Sequence, residues 1–322
     1  MQRELLISAT GVTKKYGDLT ALGGVNINVY SGEINGVAGL NGAGKSTLLT
    51  ILAGITPPDE GEVLYRGSPI YPARGRGHNS APEPTQRASS EPTQHAAHEP
   101  VQRASSEPLQ NAAPEPVQRA SRSGIHDALR SVRIGYVPQE IALFPDLSVY
   151  DNIKFWVLAG MCTKPITPVR GRTGDSARTG DSARIRIRER IREAADTTGL
   201  ADKLREPVHS LSGGLKRRVN IAAALVTVPD VLIMDEPTAG LDVKNRRDIL
   251  NFINTLARRR ENGLAVVCTS HQSGELEMIS DRLLLLDCGR AVYDGPPAGI
   301  FSGNYETYEN IDDILYSLGG GV

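Results

Sequence analysis

GLNGAGKS, Gly39 to Ser46, decides how this sequence is read. It meets the pattern GxxxxGK[ST] at every constrained position. It also lies between an apolar run, Ile34 to Ala38, and a stretch carrying Leu48, Leu49 and Leu52 at helical spacing. Strand, glycine-rich turn and helix start, in that order, make a phosphate-binding loop. The glycines let the backbone curl, so that amides of Gly39, Leu40, Asn41, Gly42, Ala43 and Gly44 are expected to surround phosphate oxygens at a positive helix N-terminus. Lys45 is expected at the β and γ phosphates, Ser46 on Mg²⁺, and Thr47 at the α and β phosphates. The alternative is a chance match in a chain with 33 glycines, and the flanking strand and helix speak against it.

The second signal is VLIMDEP, Val231 to Pro237, an apolar strand that ends in two carboxylates. Asp235 at the strand's end would reach Mg²⁺ through water, and Glu236 would orient or deprotonate the attacking water. A helix cap is the plainer reading of acidic residues at such a boundary. No NKxD-type guanine-reading element occurs, which favours ATP over GTP.

Composition narrows the class. Thirty-six Lys and Arg against 37 Asp and Glu leave a net charge of -1, so no excess of one sign argues for wrapping nucleic acid or coating an anionic bilayer. Cys162, Cys268 and Cys288 lack the paired spacing of a zinc or redox site, and a reducing cytosol is the simplest expectation. No run approaches the roughly 18 apolar residues needed to span a bilayer, and MQRELLISATGVTKKYG does not read as a secretory leader. A membrane role would need an anchor on another polypeptide.

Two stretches differ from their surroundings. From Glu83 to Arg122 an eight-residue unit recurs (EPTQRASS, EPTQHAAH, EPVQRASS, EPLQNAAP, EPVQRASR) with Val101, Leu109 and Val117 as its only large aliphatic residues, too little apolar surface to offset the entropy of ordering it. It reads as a disordered insertion spanning 71–130, tolerable because loop length costs little closure entropy. RTGDSA occurs at Arg172 to Ala177 and again at Arg178 to Ala183, and reads as a surface loop over 169–184. After it, RIRIRERIREAA, Arg184 to Ala195, places Ile187, Ile191 and Ala194 on one helical face, while Ile185 and Ile187 also alternate as a strand would.

The remainder alternates apolar runs and amphipathic stretches, an α/β pattern. Ile34 to Ala38, Ile134 to Val137, Val231 to Met234 and Leu264 to Cys268 read as buried strands of a parallel sheet. Val25, Ile27 and Val29 alternate with Asn26 and Asn28, which predicts an antiparallel edge region with one wet face. Ser148 and Asp151 predict a capped helix that carries Trp156, either in packing or at a docking surface.

The third signal is LSGGLKRR, Leu211 to Arg218, ahead of a helical run with Val219, Ala223 and Val226 at core spacing. With both preceding motifs, it makes the sequence resemble the ABC ATPases, whose signature LSGG lies before the Walker B strand. The resemblance implies one cassette over 1–322, with a P-loop NTPase (RecA-like) parallel-sheet core, an antiparallel β edge subdomain, a helical subdomain over 140–213 and a C-terminal tail over 301–322. It implies that Ser212, Gly213 and Gly214 bind the γ-phosphate of a nucleotide held by a second ATPase subunit, head to tail. It also assigns Tyr16 to stacking on adenine, Gln139 to Mg²⁺ and water, Asp242 to the dimer seam and His271 to the γ-phosphate. Leu215 departs from the glutamine common at its position.

The implied protein binds ATP and Mg²⁺, hydrolyses ATP, and works at the cytoplasmic face of a membrane on a separate permease, most like exporters of drugs, antibiotics or polysaccharides. Nucleic acid is not an expected partner. Two rivals remain: a non-transport ABC ATPase acting on ribosomes, DNA or a cytosolic complex, and a catalytically silent nucleotide sensor. The single ATPase unit counts against the first, and the complete set of Lys45, Asp235, Glu236, Gln139 and His271 against the second.

Overall fold

The structure is a computed structural model that describes residues 3–71, 133–158, 179–258, 263–301, 308 and 310–319. Its centre is a six-stranded sheet ordered β10-β9-β3-β8-β7-β6, built from β3 (Ile34–Gly39), β6 (Ile134–Val137), β7 (Val231–Met234), β8 (Ala265–Thr269), β9 (Arg282–Asp287) and β10 (Arg290–Gly295). From β9 to β6 every pairing is parallel, and β10 closes one edge antiparallel. All residues of β3, β7 and β8 are buried, so continuous apolar runs were the right signature for strands covered on both faces.

Side-chain alternation sorts these strands between two cores. Val37, Ile233, Val267, Leu284 and Leu286 join helix α1 (Lys45–Leu52) and a second sheet. Ile34, Ala38, Leu232, Met234, Val266 and Cys268 face α5 (Val243–Arg258) and α6 (Ser273–Ile279). A one-residue slip would exchange the two sets, which pins the register.

The second sheet is antiparallel and ordered β2-β1-β4-β5, from β1 (Leu5–Tyr16), β2 (Leu19–Tyr30), β4 (Glu60–Tyr65) and β5 (Ser68–Pro69). Val25, Ile27 and Val29 are buried, whereas Asn26 and Asn28 are exposed, as the period-two pattern predicts. A third core joins α2 (Val149–Leu158), α3 (Thr179–Thr198) and α4 (Gly213–Leu225) through Val149, Ile153, Ile191, Ala195, Val219 and Val226. Ser148 Oγ accepts the Asp151 N–H at 3.0 Å and donates to its carboxylate at 2.6 Å, so α2 begins with the expected capping pair.

Several sequence expectations shift. Helix α3 starts at Thr179, inside the second RTGDSA copy, so that copy is helical and not part of a loop reaching residue 184. The strand alternative for Ile185 and Ile187 falls, because Ile191 and Ala194 share the buried face while Ile185 is exposed. Strand β8 runs one residue later than Leu264 to Cys268, and Asp235 stands just past the end of β7. The octapeptide repeat, the first RTGDSA copy and Cys162 lie outside the described residues.

The described residues on either side of the octapeptide segment are anchored in the cassette. Tyr71 donates its hydroxyl to the Ile51 and Thr56 carbonyls at 2.6 and 2.7 Å. Arg133 Nε donates to Asp230 at 3.0 Å, and the same carboxylate accepts the Tyr65 hydroxyl and pairs with Arg66.

Candidate nucleotide site

The site forms where β3, β7 and β8 finish along one edge of the parallel sheet, the position at which such sheets present loops to ligands. The turn from β3 into α1 is held by glycine. Gly44 caps α1 at φ 99°, and a Cβ there would lie 2.4 Å from the Ala21 carbonyl oxygen, so no larger residue fits. Lys45 is only 6% exposed. Its ammonium donates to the Gly39 and Leu40 carbonyls at 2.8 and 3.0 Å, which places a cation inside the loop. Burial lowers its pKa, and the nearby charges of Glu236 and Asp235 act in the opposite direction. The expected phosphate loop and the expected carboxylates therefore share one electrostatic neighbourhood.

Asp235 and Glu236 are fixed by their backbone and by β8. The Asp235 N–H donates to the Val137 carbonyl at 2.9 Å. Thr269 Oγ1 donates to Asp235 Oδ1 at 2.7 Å and accepts the Glu236 N–H at 2.8 Å, so one hydroxyl orders both acidic residues. Glu236 has φ 46°, a left-handed conformation that costs a non-glycine residue about 1 kcal/mol or more. That backbone turn aims its carboxylate away from the strand. Oε2 lies 2.5 Å from His271 Nε2 and accepts from Gln139 Nε2 at 2.9 Å. Burial raises the Glu236 pKa, the His271 ring lowers it, and Asp235 raises it. A carboxylate held by two donors and lifted toward neutrality suits a general base or water-orienting group. A cavity of about 200 Å³ opens beside Glu236 and His271, large enough for small reactant groups.

The LSGG segment forms a second, separate surface. Ser212 is the N-cap of α4 and accepts the Leu215 N–H at 3.4 Å, and both Ser212 and Gly213 are exposed at the helix start. Gly214 lies against Asn245, whose Oδ1 would sit 2.7 Å from an added Cβ. Asn245 in turn donates its backbone N–H and its side-chain amide to Asp242, and those hydrogen bonds lower the Asp242 pKa. Thus the signature helix and the loop carrying Asp242 touch through one asparagine. Tyr16 ends β1 half exposed, with Lys14 Nζ 5.6 Å from its ring centroid.

Residues 22–120 and 114–239 match the family model described as ABC transporter, together more than half of the chain. The chain belongs to the ABC transporter family. The Nod factor export ATP-binding protein I of Paraburkholderia xenovorans is 31% identical over 304 residues, 93% of this chain and 73% of that protein. The linearmycin resistance ATP-binding protein LnrL of Bacillus subtilis is 29% identical over 297 residues, 92% of this chain and 71% of that protein. Among solved structures, cbiO1 of Clostridium perfringens, part of the complex cbiONQ, superposes with a TM-score of 0.62 at 26% identity, covering 98% of this chain and 97% of that one. This ABC protein is an ATP-binding, ATP-hydrolysing transporter subunit.

Sequence reasoning missed several supports of the ABC site. Arg217, 1% exposed, reaches from α4 to donate to the Pro138 and Gln139 carbonyls at 2.9 and 2.8 Å, binding the Gln139 loop to the signature helix. Burial lowers its pKa. The KRR run after LSGG displayed this arginine, but nothing local showed that it turns inward. Thr269 stood visible in CTSH beside His271, yet its double hydrogen bond depends on β7 pairing with β8. Among the described residues, no helix is long and apolar enough to cross a membrane.

Proposed function

We propose that this ATPase subunit closes head to tail with a second ATPase subunit around two MgATP and thereby drives export through a separate integral membrane permease at the cytoplasmic face. The observation that carries this reading is the convergence of buried Lys45, Asp235 and Glu236 with exposed Gln139 and His271, both of which contact Glu236, on one edge of the sheet. Gly39 to Thr47 would hold the triphosphate, and Lys45 would exchange two carbonyls for β and γ oxygens, a stronger charge-assisted contact. Tyr16 would stack on adenine. Glu236 would take the proton of the attacking water while His271 contacts the γ-phosphate.

Mg²⁺ would neutralise phosphate charge from Ser46, Asp235 and Gln139. Asp235 fits that duty, being 4% exposed with a carboxylate held by a single hydroxyl at Oδ1. Ser212, Gly213 and Gly214 would meet the nucleotide of the partner subunit, since a helix start with Ser212 and Gly213 exposed suits an anion. Asp242 would lie at the seam. ATP then binds the closed pair better than the open one, which is the differential affinity a switch requires.

A groove of about 360 Å³ runs between the catalytic core and the helical layer, bounded by Gly54, Ile55, Tyr136, Ala142, Trp156 and Ala223. Phe144, Phe155 and Trp156 pack edge to face beside it, Phe155 to Trp156 at 5.2 Å. This apolar trough next to the Gln139 loop suits a short helix of the permease. Export is the direction favoured by the name of the Nod factor export ATP-binding protein I, 31% identical over 93% of this chain.

The test is Glu236→Gln. Steady-state hydrolysis is expected to vanish while MgATP produces stable dimers on size exclusion. Turnover equal to the parent's would remove Glu236 from the proposed role.

A further inference from the structure

Outside the residues already given roles, one buried carboxylate joins three segments of the site. Glu275, in α6, is 7% exposed. Its Oε2 accepts two hydroxyls, Thr238 Oγ1 at 2.7 Å and Ser270 Oγ at 2.6 Å. Thr238 stands two residues after Glu236, and Ser270 stands immediately before His271. The other oxygen, Oε1, lies 3.2 Å from Arg246 Nε without hydrogen-bond alignment, a charge contact.

Arg246 extends the same frame. It donates to Gln272 Oε1 at 2.6 Å and to the Leu241 carbonyl at 3.3 Å, while its backbone N–H donates to the Asp242 carbonyl at 2.9 Å. Ser270 Oγ also accepts the Gln272 N–H at 3.0 Å. The segment that carries His271, the segment that follows Glu236 and the loop that carries Asp242 therefore meet on a single Glu275–Arg246 pair. Burying this carboxylate is costly unless its acceptor sites are filled. Two hydroxyls fill Oε2 and the Arg246 charge stands opposite Oε1, and these groups belong to the segments that adjoin Glu236, His271 and Asp242.

We infer that Glu275 is a positioning residue for ATP hydrolysis: through Thr238, Ser270 and Arg246 it sets the spacing between Glu236 and His271 and ties it to the position of the Asp242 loop. This inference rests on the roles proposed for Glu236 and His271. A carboxylate is suited to the task because one oxygen can accept two hydroxyls while the other faces a cation, which neither an amide nor a hydroxyl reproduces. With Glu236 and His271 only 2.5 Å apart, a small displacement of either backbone removes their contact, and misplacements near an ångström cost catalysis heavily.

The experiment uses the full chain and follows hydrolysis and thermal unfolding together. Glu275→Gln keeps the side-chain volume and one acceptor but sets an amide N–H group or a neutral oxygen against Arg246. It is expected to lower kcat roughly tenfold with KM for MgATP changed by no more than about twofold, because positioning of the water and not nucleotide capture is disturbed. Thr238→Val, which removes one hydroxyl and nothing else of size, is expected to move kcat in the same direction by less. Combining Glu275→Gln with Arg246→Gln is expected to cost less than the product of the two single effects, since both break one frame.

A Glu275→Gln protein whose kcat per folded molecule equals the parent's overturns the inference. A loss confined to the melting temperature, or singles that multiply independently, overturns it as well. Should Glu275→Ala fail to fold, Glu275→Gln and Thr238→Val carry the test. Parallel measurement of Glu236→Gln separates the two readings: retained turnover there sinks the proposed catalytic base itself, whereas silence there with a normal Glu275→Gln sinks only the positioning role.

Discussion

The two glycine-rich helix starts of this protein are built on opposite principles. At Gly44 the helix begins in the middle of the sheet edge, with Lys45 buried beneath it and two acidic residues wired to neighbouring strands. At Ser212 the helix begins in solvent with one side-chain cap, and its buried Arg217 turns to the Gln139 loop. Both are anion-ready by virtue of free amides and the helix dipole. The first arrives with its cation, its acidic groups and its water-orienting carboxylate already placed. The second supplies only amides and a hydroxyl, so it completes a site better than it founds one.

The strongest way to break this contrast is at Lys45. Lys45→Met removes the only cation inside the loop and is expected to reduce hydrolysis more than about a hundredfold, with loss of MgATP affinity by titration calorimetry. A Lys45→Met protein that binds and turns over normally would end the claim that the Gly44 surface is self-sufficient. The matching change on the other surface is Ser212→Arg, which crowds an exposed position. Hydrolysis is expected to fall by tens of fold while calorimetric affinity of the monomer for MgATP stays within about twofold. Loss of monomer affinity would show that the two surfaces are not separate in function.

Smaller effects sharpen the picture. Arg217→Met leaves the Pro138 and Gln139 carbonyls without their donor, and is expected to lower unfolding stability by about 1–3 kcal/mol in urea titrations while slowing turnover several-fold. An unchanged midpoint would show that water replaces the guanidinium at no cost. The subtlest effect is in pH. Burial holds the Glu236 carboxyl above its ordinary value, so as pH falls the proton arrives earlier than on a free glutamate, normally near roughly 4.3. Protonation removes the base and the negative charge that faces His271 and Gln139, so kcat is expected to decline on the acid side with a midpoint above that value. A decline at or below it would contradict the burial effect.

Much of the site was legible because its chemistry is local. Phosphate recognition by consecutive amides needs neighbouring residues in one turn, so GLNGAGKS could be read directly, as could the strand-ending Asp235 and Glu236. Strands β6 and β7 were found to the residue because their apolar runs are bounded by Arg133 and Pro138 and by Asp230 and Asp235, a charge or a proline at every end. The start of α3 was misplaced for an equally physical reason: a polar RTGDSA repeat lacks an apolar period, and helix start was read from that period. Arg217 and Glu275 were illegible because charged side chains in a chain read as solvated until something is seen to cover them.

The sequence alone determined the nucleotide-binding loop, the acidic strand end, the signature helix and the alternation of buried strands with helices, because each depends on spacing along the chain. Only the tertiary structure decided that Thr269 orders both acidic residues, that Arg217 holds the Gln139 loop and that Glu275 joins Thr238, Ser270 and Arg246. All of those contacts but the one from Ser270 to Glu275 link residues tens of positions apart, and a buried charge finds its partners only where packed strands and helices bring them within hydrogen-bond reach.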